Sequence, residues 1–444
     1  MRTFIILWFG QLVSSIGSSM TYFALTLWVW QQTESATAIA LILVFYQLPQ
    51  IAISLFSGVL VDRISRKHLL IFSDAAAACC TISVGILAAF QALQLWHIYL
   101  IATIIGCFGN IQSLTYSTLV PLIVPSEHHT RASSLGTMVN YAAGILAPAL
   151  AGLLYPRVGL LGITGIDVVT FAIAMVTLFL VTIPQGDEGV GSREWGVGKE
   201  EEVSKGKKLW QETTFGFRYI AVQPSLLAMV IVMSAFAFLN QMGEVLYQPM
   251  ILARTGGNAE ILGVVVAASG VGGVIGAIAL SIWSGFRRRT VGMSVGFIGI
   301  GLSELALGLG QGIGLWALTR FGASLHSPLI FSSYMAIWYA KVAPNLQGRV
   351  FAADYLIGIV IEASAGLSAG LLADRVFEPG MQAEGSLSSM FGAIVGIEAG
   401  SGIALLYMLN AIGMIWVGLI SFRVKTFREA ETLMPDHGVT SGVE

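Results

Sequence analysis

The 444-residue sequence predicts an all-α membrane protein with twelve transmembrane helices in two pseudo-symmetric six-helix bundles. Composition supports this class, because 55% of the residues are apolar and 11% are charged, with a mean hydropathy of +0.79. Soluble proteins average about 25% charged residues. Spacing supports it too, because charged clusters, prolines and glycines divide the chain into apolar spans near the ~20 residues that cross a bilayer.

The distribution of cations predicts the orientation of the spans. Lys and Arg concentrate on the cytoplasmic side of a membrane. Arg157, Arg254 and Arg375 fall on one side and Arg320 within a span, whereas the other Lys and Arg residues share the side of Arg63. An inner (plasma) membrane protein with both termini in the cytoplasm is therefore expected. The predicted spans are 4–30, 36–61, 68–93, 97–122, 132–155, 159–183, 223–251, 259–284, 290–311, 313–340, 350–373 and 398–422.

A polar stretch, 185–216, separates six spans from six and predicts an inter-domain linker. Its end carries Trp210, Phe217 and Ile220 among charges, a pattern typical of a short helix on the membrane surface. A second amphipathic helix is predicted within 378–400. The predicted domains are an N-terminal bundle (1–183), a cytoplasmic linker with a surface helix (184–222), a C-terminal bundle (223–428) and a cytoplasmic tail (429–444).

An internal repeat supports two equivalent halves. Arg131 precedes Gly152-Leu-Leu by the same spacing at which Arg349 precedes Gly370-Leu-Leu, which makes the fifth and eleventh spans equivalent. Such parallel repeats in transporters hold substrate between the halves near the midplane.

The connection between the second and third spans carries the pattern G-x-x-x-D-R-x-x-R-K. It resembles the loop 2–3 signature of the major facilitator superfamily. In that family the aspartate, here Asp62, latches the two halves on the cytoplasmic side, and the resemblance implies Arg131 or the helix start near Arg349 as its partner. The residues that match this conformational latch are Gly58, Asp62, Arg63, Arg66 and Lys67.

The fifth span resembles the antiporter signature of drug exporters in that superfamily, in part, because alanines replace two of its glycines. The matching helix-packing residues are Gly144, Pro148 and Gly152, and the glycines of 270–276 offer a complementary small face in the eighth span. Nearly the whole chain resembles the branch that contains macrolide efflux proteins and the enterobactin exporter. The segments that carry this resemblance are 209–219, 347–350 and 370–374.

Ionisable residues inside a bilayer cost at least ~2.5–3.5 kcal/mol at its centre, so each needs a partner or a function. At 1.5 Å per residue, Glu244, Glu304 and Arg320 lie at one level of their spans. Two pairings of Arg320 are open and compatible. It can pair with Glu304 of the preceding helix, or with Glu244 across the cavity that the resemblance implies between helices 1, 4, 7 and 10.

Proton coupling is assigned to Glu244, Glu362 and Arg320, because a carboxylate removed from water takes up a proton more readily. Glu362 lies near the middle of the eleventh span, where a packing hydrogen bond is the alternative interpretation. Asp74 and Asp354 are expected near the first turns of their helices, where the helix dipole favours a carboxylate.

The candidate substrate-cavity residues are mostly neutral and polar or aromatic, which suits a bulky amphipathic molecule. They are Gln11, Ser15, Tyr22, Asn110, Gln112, Tyr116, Asn240, Gln241, Tyr247 and His326.

These features predict a proton-coupled secondary transporter that exports an amphipathic small molecule, such as a drug, a macrolide-like compound or a siderophore, by alternating access. The expected partners are the bilayer, this substrate and protons, with no cofactor, no metal, no nucleic acid and a monomeric state. A lysophospholipid or lipid-like transporter of the same fold is the alternative. A membrane enzyme or sensor is disfavoured because the sequence contains no H-E-x-x-H, P-loop or G-x-S-x-G motif.

Overall fold

The computed structural model describes residues 2–125, 128–181, 205–283, 285–383 and 385–433. Within these ranges the regular elements are helical and no strand occurs, so the predicted all-α class is confirmed. Side chains are described throughout them except at residues 2, 54–63, 117, 121–122, 129–131, 133, 205–213, 345 and 432–433.

The helices follow the predicted spans closely, because each apolar run is bounded by charges or turn residues. The long helices are α1 (Arg2–Thr33), α2 (Ala36–Arg63), α3 (Arg66–Ala89), α4 (Leu95–Ile123), α5 (His129–Leu180), α6 (Lys205–Val222), α7 (Pro224–Arg254), α8 (Ala259–Trp283), α9 (Arg289–Leu309), α10 (Ile313–Lys341) and α11 (Pro344–Leu372). A π-helical turn (Ala373–Phe377) follows, then α12 (Glu378–Met381), α13 (Ser388–Val395), α14 (Ser401–Ser421), α15 (Lys425–Arg428) and α16 (Ala430–Leu433).

Ten helical stretches among the described residues are long and apolar enough to cross a membrane. One of them is α5, which is interrupted at Gly159, where φ is +63°, a left-handed conformation that favours glycine. Helix α10 has 29 residues but falls outside the ten. If the two parts of α5 count as separate spans and α10 is included, the total is compatible with the twelve predicted spans.

The start of the eleventh span differs from the prediction. Helix α11 begins at Pro344 rather than near residue 350, because proline suits the first position of a helix, where the missing N–H costs nothing. Arg349 therefore lies inside α11. Of the predicted surface helices, α6 packs on α11, since a Cβ at Gly216 would lie 2.7 Å from Cβ of Ala353. Helix α13 lies within the segment predicted for the second, and residues 182–204 of the predicted linker lie outside the described residues.

The chain divides into two compact units, the first within Met1–Lys199 and Ile251–Ala267, and the second within Glu200–Met250 and Ala268–Glu444. The sequence places 251–267 in the second bundle, and the domain boundaries stay a prediction. In the second unit α9 packs against both α10 and α14, and a stacked pair of rings, Phe236 and Phe297, joins α7 to α9 with 4.2 Å between ring centroids. These contacts hold together the helices that carry Glu244, Glu304 and Arg320.

Candidate functional site

A charged cluster lies inside the second unit, on helices α7, α9 and α10. Arg320 of α10 donates from Nη2 to both carboxylate oxygens of Glu244 on α7, at 2.9 Å each. Its Nη1 lies 3.6 Å from Oε1 of Glu304 on α9. The side chains of Arg320 and Glu304 are 3% and 1% exposed, whereas that of Glu244 is 38% exposed. One buried cation is therefore shared by two carboxylates in different surroundings, and we call Glu244, Glu304 and Arg320 the charge triad.

The guanidinium of Arg320 is held by further contacts on the side of Glu244. Its Cζ lies 4.1 Å from the ring centroid of Tyr247, one turn after Glu244, which places the cation against an aromatic face. Nη2 also lies 3.4 Å from Oγ of Ser269 on α8. Ser269 in turn is 2.5 Å from Oγ of Ser324, one turn further along α10. These contacts stabilise Arg320 in its pairing with Glu244.

The side chain of Glu304 is more tightly packed than that of Glu244. A Cβ at Gly243 of α7 would lie 2.7 Å from Oε2 of Glu304 and 3.4 Å from Nδ2 of Asn410, so glycine is required for this approach. Asn410 of α14 donates to the Leu239 carbonyl at 2.6 Å. The phenol of Tyr407 on α14 is fully buried and close enough to interact with the charges of the triad. Helices α7, α9, α10 and α14 thus form the walls around the triad.

The structure brings together two of the three residues assigned to proton coupling, Glu244 and Arg320. Both pairings of Arg320 that the sequence left open occur, the closer one with Glu244 and the looser one with Glu304. Glu362 is partly buried on α11, outside the ion pairs that define the triad.

In the first unit, Asp74 of α3 accepts hydrogen bonds from two glutamines that were assigned to the substrate cavity. Gln11 of α1 donates to Oδ2 at 3.3 Å, and Gln112 of α4 donates to Oδ1. The expectation that the helix dipole stabilises Asp74 is wrong, because α3 begins at Arg66 and places Asp74 more than two turns inside. Amide donors from neighbouring helices take that role.

The expectation for Asp354 is corrected in the same way. Because α11 begins at Pro344, Asp354 lies almost three turns inside it rather than in the first turn. Its Oδ1 accepts a hydrogen bond of 2.6 Å from the phenol of Tyr334 on α10.

A second buried carboxylate of the first unit, Asp167, was assigned no role from the sequence. It is 2% exposed and accepts three hydroxyl hydrogen bonds. Thr21 and Thr81 donate to Oδ2 at 2.9 Å each, and Ser18 donates to Oδ1 at 3.2 Å. A Cβ at Gly17 would lie 2.9 Å from Oδ1, which lets α1 approach α5. The only sequence signal was an isolated aspartate inside an apolar span, because its partners come from distant positions.

Of the predicted latch, Gly58, Asp62, Arg63 and Arg131 lie outside the described side chains, so their role stays a prediction. Arg66 and Lys67 are described at the start of α3. Lys67 donates from Nζ to the Val181 carbonyl at 2.8 Å, which ties the start of α3 to the end of α5.

The remaining candidate cavity residues are distributed over both units. Ser15, Asn110, Tyr116, Asn240 and Gln241 are partly buried, Tyr22 is exposed, and Tyr247 is buried beneath Arg320. His326 of α10 bonds through Nδ1 to the Gly322 carbonyl at 2.7 Å. Its ring lies against Gly299 of α9, where an added Cβ would be 2.5 Å from Nε2.

The predicted helix-packing residues of α5 have different surroundings. A Cβ at Gly152 would lie 2.7 Å from the Ala259 carbonyl and 3.0 Å from Cα of Gly263, and one at Gly263 would lie 2.6 Å from the Pro148 carbonyl. An added Cβ at Gly144 meets no neighbouring atom within 4 Å. The small face of α8 that meets α5 therefore includes Gly263. Gly272, in the stretch predicted for that contact, faces the backbone of Phe321 on α10 instead.

No group of three or more His, Cys, Asp and Glu residues suited to hold a metal ion occurs in the part of the chain that the structure describes.

The sequence profile described as Major Facilitator Superfamily matches residues 7–360. Macrolide efflux protein A of Streptococcus pyogenes is 24% identical over 376 residues, which cover 84% of this chain and 90% of that protein. Multidrug efflux pump Tap of Mycolicibacterium fortuitum is 22% identical over 361 residues, with 80% and 82% of the two chains covered. The resemblance to this superfamily and its drug-exporter branch is confirmed.

Solved structures support the same fold. A bacterial homologue of the iron transporter ferroportin in the inward-facing state aligns with a TM-score of 0.68 at 13% identity, covering 95% of this chain and 98% of that one. A bacterial homologue of the human lysosomal transporter Spinster aligns with a TM-score of 0.64 at 15% identity, covering 97% and 96%. At these identities the similarity concerns the fold alone.

Proposed function

The chain belongs to the Major Facilitator Superfamily and is a multi-pass membrane transporter, and from this membership we propose that it is a proton-coupled exporter of an amphipathic small molecule. The superfamily is a class of transporters rather than of enzymes. The names of two relatives, for macrolide and multidrug efflux, support export and a substrate of this chemical type. The proposed mechanism is alternating access in the plasma membrane, with protons as the coupling ion and both termini in the cytoplasm.

The observation that carries the proposal is the ion pair between Glu244 and Arg320. Ionisable side chains inside a membrane are costly and are a functional site by default. Here the cation is almost completely buried, whereas its carboxylate partner is more than one-third exposed. An exposed carboxylate that is already paired can exchange its partner, and a proton or a substrate can take part in that exchange. Glu244 and Arg320 are therefore proposed to couple proton movement to substrate binding, together with Glu362 on α11.

The walls around the pair suit an amphipathic substrate. An aromatic ring, Tyr247, and a hydroxyl, Ser269, contact Arg320 of the pair, while the adjacent helices are apolar. Binding sites for small molecules combine apolar surface with a few polar groups that orient the ligand. The neutral polar residues Asn240 and Gln241, which precede Glu244 on α7, are proposed to extend this lining.

The test is proton flux in liposomes that contain the purified protein, followed with an internal pH-sensitive dye. Addition of a macrolide, a cationic dye or a siderophore to wild-type protein should move protons in exchange for substrate. Glu244→Gln and Glu362→Gln should each lower this flux at least tenfold. Glu260→Gln is the matched control, because Glu260 is an exposed carboxylate in the first turn of α8 and should leave the flux unchanged.

Two results would contradict the proposal. Absence of substrate-driven proton movement with every compound would exclude proton-coupled export of these classes. Movement of fluorescent lysophospholipid between leaflets, without proton flux, would favour the lipid-transporting alternative of the same fold.

A further inference from the structure

The two carboxylates that share Arg320 are not equivalent. Glu244 accepts two hydrogen bonds of 2.9 Å and is open to its surroundings, whereas Glu304 is 1% exposed and lies 3.6 Å from the nearer guanidinium nitrogen. Hydrogen bonds between charged groups are about 2.7–2.9 Å long. Nη2 of Arg320 is thus engaged with Glu244, whereas Nη1 stands less than about 1 Å beyond bonding distance from Glu304.

The polar atoms around Glu304 show the same imbalance. Both carboxylate oxygens of Glu304 and atom Nη1 of Arg320 are buried without a well-formed hydrogen bond among the described residues, and their ion pair is 3.6 Å long. Oδ1 of Asn410, on the adjacent α14, is also buried without one, and the phenol of Tyr407 lies close enough to interact with both Glu304 and Arg320. The large majority of buried side-chain polar atoms are paired, so a cluster of poorly paired ones requires an explanation. An ionised Glu304 would be a buried charge whose nearest cation, Nη1 of Arg320, stands 3.6 Å away, whereas a protonated Glu304 is neutral.

We propose that Glu304 holds the exchanged proton, and that Arg320 moves from Glu244 to Glu304 when a substrate with one positive charge binds Glu244. This inference rests on the proposed function and deepens it, because it assigns the substrate charge and a proton-carrying residue beyond Glu244 and Glu362. The cationic group of the substrate takes over the bonds that Glu244 makes with Arg320. The released guanidinium then approaches Oε1 of Glu304, the O–H bond of Glu304 breaks, and the proton passes to water that enters beside Glu244.

Charge balance favours this sequence of events. Before binding, the triad contains one cation, one carboxylate and one neutral acid, with a net charge of zero. After binding, it contains the substrate cation, Arg320 and two carboxylates, again with a net charge of zero. Because unpaired charge in a membrane interior is costly, a cycle that keeps the triad neutral avoids that cost at each step.

The other titratable groups near Glu304 are less suited to hold the proton before the substrate binds. Glu244 and Tyr247 on α7 both contact Arg320, and Tyr407 on α14 is a phenol, which is neutral near pH 7. His326, on α10, is bonded to its own helix and packs against Gly299, more than one turn from Glu304 along α9. Glu304 is therefore the buried acid whose charge Arg320 can compensate by a short movement.

The first experiment measures protons released on binding. Tetraphenylphosphonium and ethidium, both permanent monocations, are titrated into detergent-purified protein by calorimetry in buffers of different ionisation enthalpy. Wild-type protein should release about one proton per bound cation, and its affinity should rise about tenfold per pH unit where Glu304 titrates. Triphenylphosphine oxide, a neutral analogue of similar shape, should release none.

Variants then assign the proton to a residue. Glu304→Gln should abolish proton release and remove the pH dependence of binding, with binding weakened at least tenfold because Arg320 stays on Glu244. Glu304→Asp should restore proton release, and Glu260→Gln should match the wild type. Gel filtration and thermal unfolding test whether each variant is folded. If Glu304→Gln does not fold, Glu304→Ser replaces it, and this variant should also lose proton release.

The outcomes separate this inference from the proposed function. Substrate-driven proton flux in wild-type liposomes, with unchanged proton release in Glu304→Gln or Glu304→Ser, would overturn the role of Glu304 and leave proton-coupled export intact. The assigned substrate charge would be overturned if neither monocation bound. It would also be overturned if the neutral analogue released as many protons as the monocations. Absence of all substrate-driven proton flux in the wild type would overturn both proposals.

Discussion

The contact between α8 and α10 allows a quantitative test of the structure that surrounds Arg320. A Cβ at Gly272 of α8 would lie 3.0 Å from both Cα and the carbonyl carbon of Phe321, and nearer still to its carbonyl oxygen. Carbon atoms in favourable contact lie about 3.5–4.0 Å apart. Because the obstructing atoms are backbone, Gly272→Ala requires the two helices to separate by roughly 0.5–1 Å.

We expect Gly272→Ala to lower the free energy of unfolding by a net ~1–2 kcal/mol. Overpacking costs about 1–3 kcal/mol, and three obstructing backbone atoms place this site in the upper part of that range. Alanine returns up to ~1 kcal/mol through its higher helix propensity. Gly358→Ala on α11 is the matched control, because an added Cβ there meets no neighbouring atom within 4 Å, and it should be neutral or stabilising.

The assay is thermal unfolding of the purified variants in detergent, followed by intrinsic tryptophan fluorescence. One kcal/mol shifts the midpoint of a domain of 150–250 residues by about 2–4 °C. A difference of ~2 kcal/mol between the variants therefore corresponds to roughly 4–8 °C, with Gly272→Ala the lower. Equal midpoints, or a higher midpoint for Gly272→Ala, would refute the close approach of α8 and α10.

Two further predictions concern buried hydrogen bonds. Thr81→Val removes one of the hydroxyls that bond Asp167 and should lower the free energy of unfolding by about 1–3 kcal/mol. The control is Thr26→Val, because the hydroxyl of Thr26 bonds a backbone carbonyl of its own helix. This variant should change the free energy of unfolding by less than ~1 kcal/mol. Similar losses in both variants would contradict the stabilising role assigned to the Asp167 hydrogen bonds. Tyr334→Phe removes the 2.6 Å hydrogen bond to Asp354 and should cost about 1.5–3 kcal/mol. In a double-mutant cycle with Asp354→Asn the two losses should be less than additive, and strict additivity would show that the two groups do not interact.

Helix positions could be predicted from the sequence because each span is an apolar run bounded by charges and turn residues. The common level of Glu244, Glu304 and Arg320 also followed from the rise per residue. Which carboxylate holds the short bonds could not be predicted, because it depends on how each helix is rotated about its axis and on the space left by Gly243. Residue spacing along a helix does not contain that information.

The partners of the carboxylates in the first unit were less predictable. Asp74 is bonded by amides more than 30 residues away in sequence, and Asp167 by hydroxyls of two other helices. Ser, Thr and Gln occur in many spans, so the sequence alone does not identify which of them bond Asp74 and Asp167. The apolar pattern also places Asp74 too near the start of its helix, because α3 begins at the polar residues Arg66 and Lys67, before the apolar run.

The presence of one cation beside two acids has a consequence for the energy source of the transporter. If the triad exchanges one monocation for one proton, the cycle moves no net charge, so the membrane voltage, worth ~2.3 kcal/mol per charge per 100 mV, does not drive it. The remaining driving force is the pH gradient, about 1.4 kcal/mol per unit, which limits a monocation to a roughly tenfold concentration ratio per pH unit. Export would then be strongest in acidic surroundings, and once the outside became as alkaline as the cytoplasm the monocation could no longer be moved against its concentration gradient, at any voltage.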